Sequence, residues 1–254
     1  MWIDSASLGD VYHPGELLEG FVDTRQVTGV IAILVPILFN LAFFELGRAF
    51  DYPAILRRPP DEILRRFAAG GASLLLRWHL LFLSALAMLP VAVLFAAVLD
   101  AGVALTWLSL VVGVVAALVQ AVGLARWPFA VPELARRYVA AGEGTEGEAT
   151  RRSVEVTFAV LHRYLGVGIG EHLGYLATGA WTLLVSASIV GGGVLPAWLA
   201  IAGLVIGIAL LIGTLEFAGP NEPEGWALAG TIVPIAYIAW SIWLILIGVF
   251  LLIG

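Results

Sequence analysis

Apolar residues gather into six long stretches along this chain, at about residues 28–47, 78–99, 102–125, 166–190, 195–215 and 226–253. Each is close to or above the ~20 residues that a helix needs to cross a bilayer core. Backbone groups in hydrocarbon have to bond within their own segment, so runs of this kind are helices. The expected class is all-α, a polytopic membrane helix bundle of six transmembrane helices. Residues 27–254 form the transmembrane domain and residues 1–26 a separate N-terminal segment. Gly191–Gly193 with Pro196 mark a tight turn between spans four and five, and Pro220, Pro223 and Gly225 mark one between spans five and six.

Two longer connections break this rhythm. In residues 48–77, Pro59–Pro60 precedes Asp61, Glu62, Ile63, Leu64, Arg65, Arg66 and Phe67. Proline at the first helical position with acids in the first turn starts a helix well. Ile63, Leu64 and Phe67 share one face, so a short interfacial helix is expected ahead of span two. In residues 127–164, Gly142–Glu148 reads as an exposed loop. Thr145 and Glu148 have the spacing of a capping box that opens a helix into span four.

Six spans place both long connections on one side. Those connections hold Arg48, Arg57, Arg58, Arg65, Arg66, Arg77, Arg126, Arg136, Arg137, Arg151, Arg152 and Arg163, every arginine but Arg25. Basic residues near span ends favour the cytoplasm, which predicts cytoplasmic long loops and both termini non-cytoplasmic. Residues 1–26 carry Asp4, Asp10, Glu16, Glu19 and Asp23 against Arg25 alone, with no apolar run. No cleavable signal peptide is therefore expected, and the first span is the expected targeting signal. The halves 27–126 and 154–253 each hold three spans, as an inverted-repeat carrier requires, but show no residue correspondence.

Composition then narrows the function classes. Hydrophobic residues make up 61% and charged residues 13%, against about 25% charged in soluble domains. The lack of cysteine excludes disulfides, thiolate metal sites and thiol catalysis. All the basic residues are arginine, which excludes Schiff-base chemistry on lysine. A net charge of −6 gives no basic stripe for a nucleic acid. The expected partners are membrane lipids, with a membrane-protein partner or a small amphiphilic ligand.

Glu171 and His172 stand out inside the fourth stretch, because an ionisable residue in a span is a functional-site hypothesis. Tyr164, Gly168, Glu171, Tyr175, Thr178 and Thr182 recur at three- and four-residue steps, which puts them on one helical face. Gly170 and Gly174 give the adjacent face a small-xxx-small pair. Compatible stripes come from Thr106, Ser109, Gly113 and Gln120 on span three, Thr231, Pro234, Tyr237 and Ser241 on span six, and Asn40 on span one. The depth of Glu171 has two readings. Counted from an interface at Arg163, it lies roughly 12 Å deep; counted from Gly166–Gly170, it is a rim residue paired with an arginine.

Other ionisable residues share that end of their spans: Glu45 with Arg48, Arg77 and His79, Arg126, and Glu216. Together they suit a ring of matched charges around a cytoplasm-facing vestibule, although local snorkelling pairs explain each one equally well. Glu171 and His172 diverge by ~100° on a helix and so do not share an ion. The H-E-x-x-H and E-x-x-H spacings are absent, and haem would need His79 to face His172. G-x-S-x-G is absent too. No catalytic residue, metal or cofactor is assigned. The candidate polar site comprises Glu171, His172, Tyr175, Arg163, Glu45, Arg77, His79, Arg126, Glu216, Gln120 and Asn40. Trp107, Trp127, Trp198 and Trp226 fit an interfacial belt, whereas Trp181, Trp240 and Trp243 lie deeper as packing residues.

Several segments taken together are similar to a known family. They are Phe67–Gly71 (FAAGG), Arg126–Tyr138 (RWPFAVPELARRY), Arg163–Tyr175 (RYLGVGIGEHLGY), Gly213–Phe217 (GTLEF) and Pro234–Leu244 (PIAYIAWSIWL). As a set they resemble a family of bacterial multi-pass membrane proteins described only as a domain of unknown function, over about residues 25–253. The resemblance implies a bacterial inner-membrane protein, and it brings no activity, substrate or catalytic residue with it.

Three function classes follow. A binding, accessory or interaction protein of the membrane is favoured by small size, short outer loops and the lack of a catalytic motif. A small proton-coupled transporter would use Glu171 as its protonatable group and Gly166, Gly168 and Gly170 as a flexible break. An intramembrane metal or haem protein would be built on His79, Glu171 and His172.

Overall fold

The computed structural model describes residues 23–99, 101–218 and 225–254. Expectations for residues 1–22, and for Pro220 and Pro223, lie outside them. Helix α1 (Thr24–Phe50) is capped by Asp23, which accepts from the Arg25 N–H at 2.9 Å, and ends on Asp51 in the left-handed conformation. Helix α2 (Pro60–Leu86) starts on Pro60 with Asp61 and Glu62 in its first turn. It breaks at Gly71, where φ 55° and ψ −151° suit glycine. The piece before Gly71 is the short helix expected from the sequence. The piece after it continues into α3 (Met88–Val98) as span two, which therefore begins earlier than residue 78.

Then come α4 (Val103–Phe129), α5 (Val131–Ala140) and α6 (Gly144–Leu161). A π-helical segment, His162–Leu173, runs without interruption into α7 (Gly174–Gly192). Gly193 closes α7 at φ 65° and Pro196 opens α8 (Ala197–Gly213), the tight turn that the glycines predicted. A 3-10 turn at Thr214–Phe217 and α9 (Ala227–Ile253) complete the described elements, all of them helical. Six helices are long and apolar enough to cross a membrane.

The spans close into a ring in chain order. α1 packs on α2, α2 and α3 on α4, α4 on α7, α7 on α8, α8 on α9, and α9 back on α1. Glycines set three of the closest crossings. A Cβ on Gly29 would lie 2.9 Å from the Gly248 carbonyl, joining α1 to α9, and one on Gly179 would lie 2.9 Å from the Gly207 carbonyl, joining α7 to α8. In the third, the Gly170 backbone lies against Gly123 of α4, as the Gly170–Gly174 pair suggested. Small residues at such crossings let dispersion act between backbones where lipid offers no hydrophobic gain.

Two hydrophobic clusters fill the ring. One gathers Val35, Phe95, Trp181, Trp240 and Trp243 toward the short-loop end. The other gathers Phe50, Ile63, Leu64, Phe67, Trp78, Trp127 and Phe158 toward the long-loop end. Polar residues occupy the gap on every helix that joins both clusters. They are Asn40 between Val35 and Ala42, Ser84 between Leu81 and Ala87, Gln120 between Val114 and Leu124, and Glu171, Tyr175 and Thr178 between Phe158 and Trp181. The polar stripes thus meet as one layer. Asn40 Nδ2 donates to Ser241 Oγ (2.8 Å), Gln120 Nε2 to Thr178 Oγ1 (2.7 Å), and Trp240 Nε1 to Thr182 Oγ1 (3.0 Å).

Three local expectations are corrected. Trp127 is fully buried rather than interfacial, because Phe67 and Phe158 close over it and its ring stacks on Trp78 at 4.3 Å. The apolar face of the short helix (Ile63, Leu64, Phe67) is likewise covered by protein. Gly142–Glu148 is mostly helix: α6 begins at Gly144, and Thr145 stands inside its first turn, so the capping box does not form. A Cβ on Gly147 would run into the Gly142 carbonyl, which folds back over it. Gly147→Ala is expected to cost about 1–3 kcal/mol by overpacking. Gly142→Ala, with open space around it, should melt like the parent in circular dichroism.

Candidate functional site

Span four presents its polar residues through the π-helical segment. Bonding from i to i+5 widens the turn, so each residue advances by less than the ~100° of an α-helix. The α-helical stripe expected from Tyr164 to Thr182 therefore loses phase. Tyr164 points outward at 66% exposure, whereas Thr178 and Thr182 are buried and Glu171 and Tyr175 are partly enclosed. The helix is continuous through Gly166 and Gly170. Gly170 admits the α4 backbone, and a Cβ on Gly166 would lie 2.6 Å from the Arg126 guanidinium carbon.

Arg126 is 6% exposed. Its Nη1 donates to the Gly123 carbonyl and its guanidinium sits 5.2 Å over the Trp127 ring. Its buried Nε–H finds no acceptor among the described residues. Glu171 has Arg126 as its strongest charge partner, followed by Glu216 and Arg57. No described residue donates a hydrogen bond to its carboxylate or forms a direct ion pair with it. Measured along the helix from Glu171 to Gly192, the distance is about 30 Å at the helical rise, which matches the hydrocarbon core. The arginine pair that the rim reading of its depth expects is not formed among the described residues.

Three tyrosines from different elements complete the cluster. Tyr52 follows α1 and packs on Trp78 (5.1 Å) and Phe43 (4.9 Å). Tyr175 of α7 and Tyr237 of α9 meet at 5.4 Å, and Phe217 lies 5.5 Å from Tyr175. All three hydroxyls lie within electrostatic reach of Glu171. Glu216, 6% exposed, pairs with the solvent-facing Arg57. His172 Nδ1 lies 3.1 Å from the Thr214 carbonyl, and its ring is 6.4 Å from Phe217. Two small voids, each with room for about one water, sit in the polar layer. One is lined by Gln120, Thr178, Trp181 and Trp240, the other by Phe39, Gln120, Tyr237 and Trp240, among others.

The sequence-derived site therefore divides. Glu171, Tyr175, Arg126, Glu216 and His172 come together, and Gln120 and Asn40 serve the polar layer beside them. Glu45 and Arg77 form a separate outer pair at 3.4 Å, and Arg163 is exposed. His79 contacts the Leu75 carbonyl and Phe129, sharing no neighbour with His172, so the two histidines do not face each other. Tyr52, Arg57 and Tyr237 were not among the candidates. Only Tyr237 had a signal in the sequence, its place in the span-six stripe.

Residues 27–253 match a protein family described as a domain of unknown function, DUF4386. No curated protein and no solved structure matches the chain. The family match takes in all six spans and every residue of the Arg126–Glu171 cluster, so the chain belongs to this family of membrane proteins of unknown function.

Proposed function

We propose that the chain is a binding protein of a bacterial inner membrane that holds the headgroup of a small amphiphile in the Arg126–Glu171 cluster. The arginine-rich long loops favour the cytoplasmic side for this cluster and the opposite face for both termini. The reading rests on Glu171. Its polar-layer neighbours Asn40, Gln120 and Trp240 have side-chain partners, whereas its carboxylate receives no donor from a described residue. An ionisable group is costly inside a span, and a bound ligand offsets that cost by supplying the missing donor. The test is native mass spectrometry of the protein held in discs of its own host membrane. The parent is expected to retain a small amphiphile, and Glu171→Gln to lower its occupancy at least tenfold. An empty parent, or equal occupancy in the variant, would overturn the reading.

The π-helical segment favours a second reading, a proton-coupled carrier, because a wide turn beside Gly166 and Gly170 can pass along the helix and rotate Glu171. Proteoliposomes loaded with a pH-sensitive dye test it. Proton influx driven by a potassium diffusion potential, abolished by Glu171→Gln, supports the carrier; a parent that conducts none sinks it.

A further inference from the structure

We propose that the two voids of the polar layer are binding sites for single waters, one between Trp181 and Gln120 and the other between Gln120 and Tyr237. A water–amide–water chain then crosses the interior of the ring and joins α4 to α7 and α9. The inference goes beyond the amphiphile reading and does not depend on it. Gln120 lines both voids, with Gly113 and Trp181 beside it in the first and Phe39 and Tyr237 in the second. Each void has room for about one water.

Hydrogen-bond accounting separates these voids from dry apolar cavities. Trp181 is 1% exposed, yet its Nε1–H has no acceptor among the described residues. The other two indoles of its cluster are satisfied, Trp240 by Thr182 Oγ1 at 3.0 Å and Trp243 by the Leu199 carbonyl at 2.8 Å. A Cβ on Gly113 would lie 2.5 Å from Trp181 Nε1, so the indole edge is aimed at the wall that this glycine leaves open. Across the void, the Gln120 amide spends one N–H on Thr178 Oγ1, and its Oε1 receives no donor from a described residue. A buried donor and a buried acceptor without partners are both costly, and one water between them satisfies both. The carboxamide oxygen has two lone pairs, which gives one to each void. In the second void the matching group is the Tyr237 hydroxyl, whose bond to Thr178 uses one of its three hydrogen-bonding sites.

X-ray radiolytic labelling of the full-length protein in lipid nanodiscs tests the proposal. A bound water yields hydroxyl radical in place and oxidises the side chain beside it, which mass spectrometry reads residue by residue. Trp243 is the reference, because it is 2% exposed, has its Nε1 bonded and lines neither void. Trp181 is expected to label about tenfold faster than Trp243. A radical scavenger in the buffer should protect Trp107, which is 62% exposed, and leave Trp181 unchanged. Gln120→Leu removes the acceptor shared by both waters and should lower Trp181 labelling about fivefold. If that variant does not fold, Tyr237→Phe decides the second site: Phe39 labelling should fall about threefold while Trp181 stays within about twofold. Trp181 labelling no faster than Trp243, suppressed by the scavenger along with Trp107, or unaltered by Gln120→Leu overturns the proposal. Phe39 labelling unchanged by Tyr237→Phe overturns the second water.

Discussion

Arg126→Met is expected to destabilise the protein by about 2 kcal/mol. Methionine fills most of the same volume against Trp127 and leaves the Gly166 backbone unobstructed, so the loss is chiefly one of charge. Glu171 then stays enclosed without its strongest counter-charge, which acts on it through space rather than by direct contact. Adding Glu171→Gln to Arg126→Met should therefore restore much of the loss, and the double substitution should be more stable than the sum of the singles requires. Unfolding by titration with a denaturing detergent, followed by tryptophan fluorescence, measures all three variants. If Arg126→Met proves neutral, the two charges do not support one another and the cluster has a different basis.

Gly123→Val should be at least as damaging, at about 3 kcal/mol or more. Its Cβ, whose position the backbone fixes, would overlap the backbone Cα of Gly170, so no rotamer change relieves the collision. α4 has to move away from span four, carrying Arg126 off Gly166 and opening the cluster. The sign is diagnostic because replacing a helical glycine usually helps by up to about 1 kcal/mol. Gly230→Ala on α9, with nothing within 4 Å of the new methyl, provides that comparison and should be neutral or stabilising. Thermal melts in one detergent check the pair, and a stable Gly123→Val would mean that the crossing is not close-packed.

Particular residues show how far the sequence could be read. The spans were legible because hydrocarbon permits only helices at those lengths, and Gly191–Gly193 with Pro196 fixed one turn unambiguously. Glu171 and Arg126 could be named because charge in an apolar run has few explanations. The partners they meet were less visible. Tyr52 reaches the cluster from a turn outside any periodic segment, and nothing local announces its direction. Tyr164 was placed on the wrong face because periodicity assumes 3.6 residues per turn, and the π-helical segment abandons that spacing. Trp127 looked interfacial for a similar reason: proximity to a span end says nothing about whether other elements fold over it. Long-range cover was thus the missing quantity for Tyr52 and Trp127, and the local helical pitch for Tyr164.

The closed ring also constrains how the protein is made. Asn40 lies on α1 and its hydroxyl partner, Ser241, on α9, 201 positions later. At typical synthesis rates the ribosome needs on the order of 10–40 s to cover that interval. Throughout it the Asn40 amide has the carbonyl of Pro36, 2.7 Å away on its own helix, as its acceptor. The nascent first span can therefore wait in lipid with that donor already occupied. The Gly29–Gly248 crossing forms only once α9 has been made, so the contact that closes the ring waits for that helix.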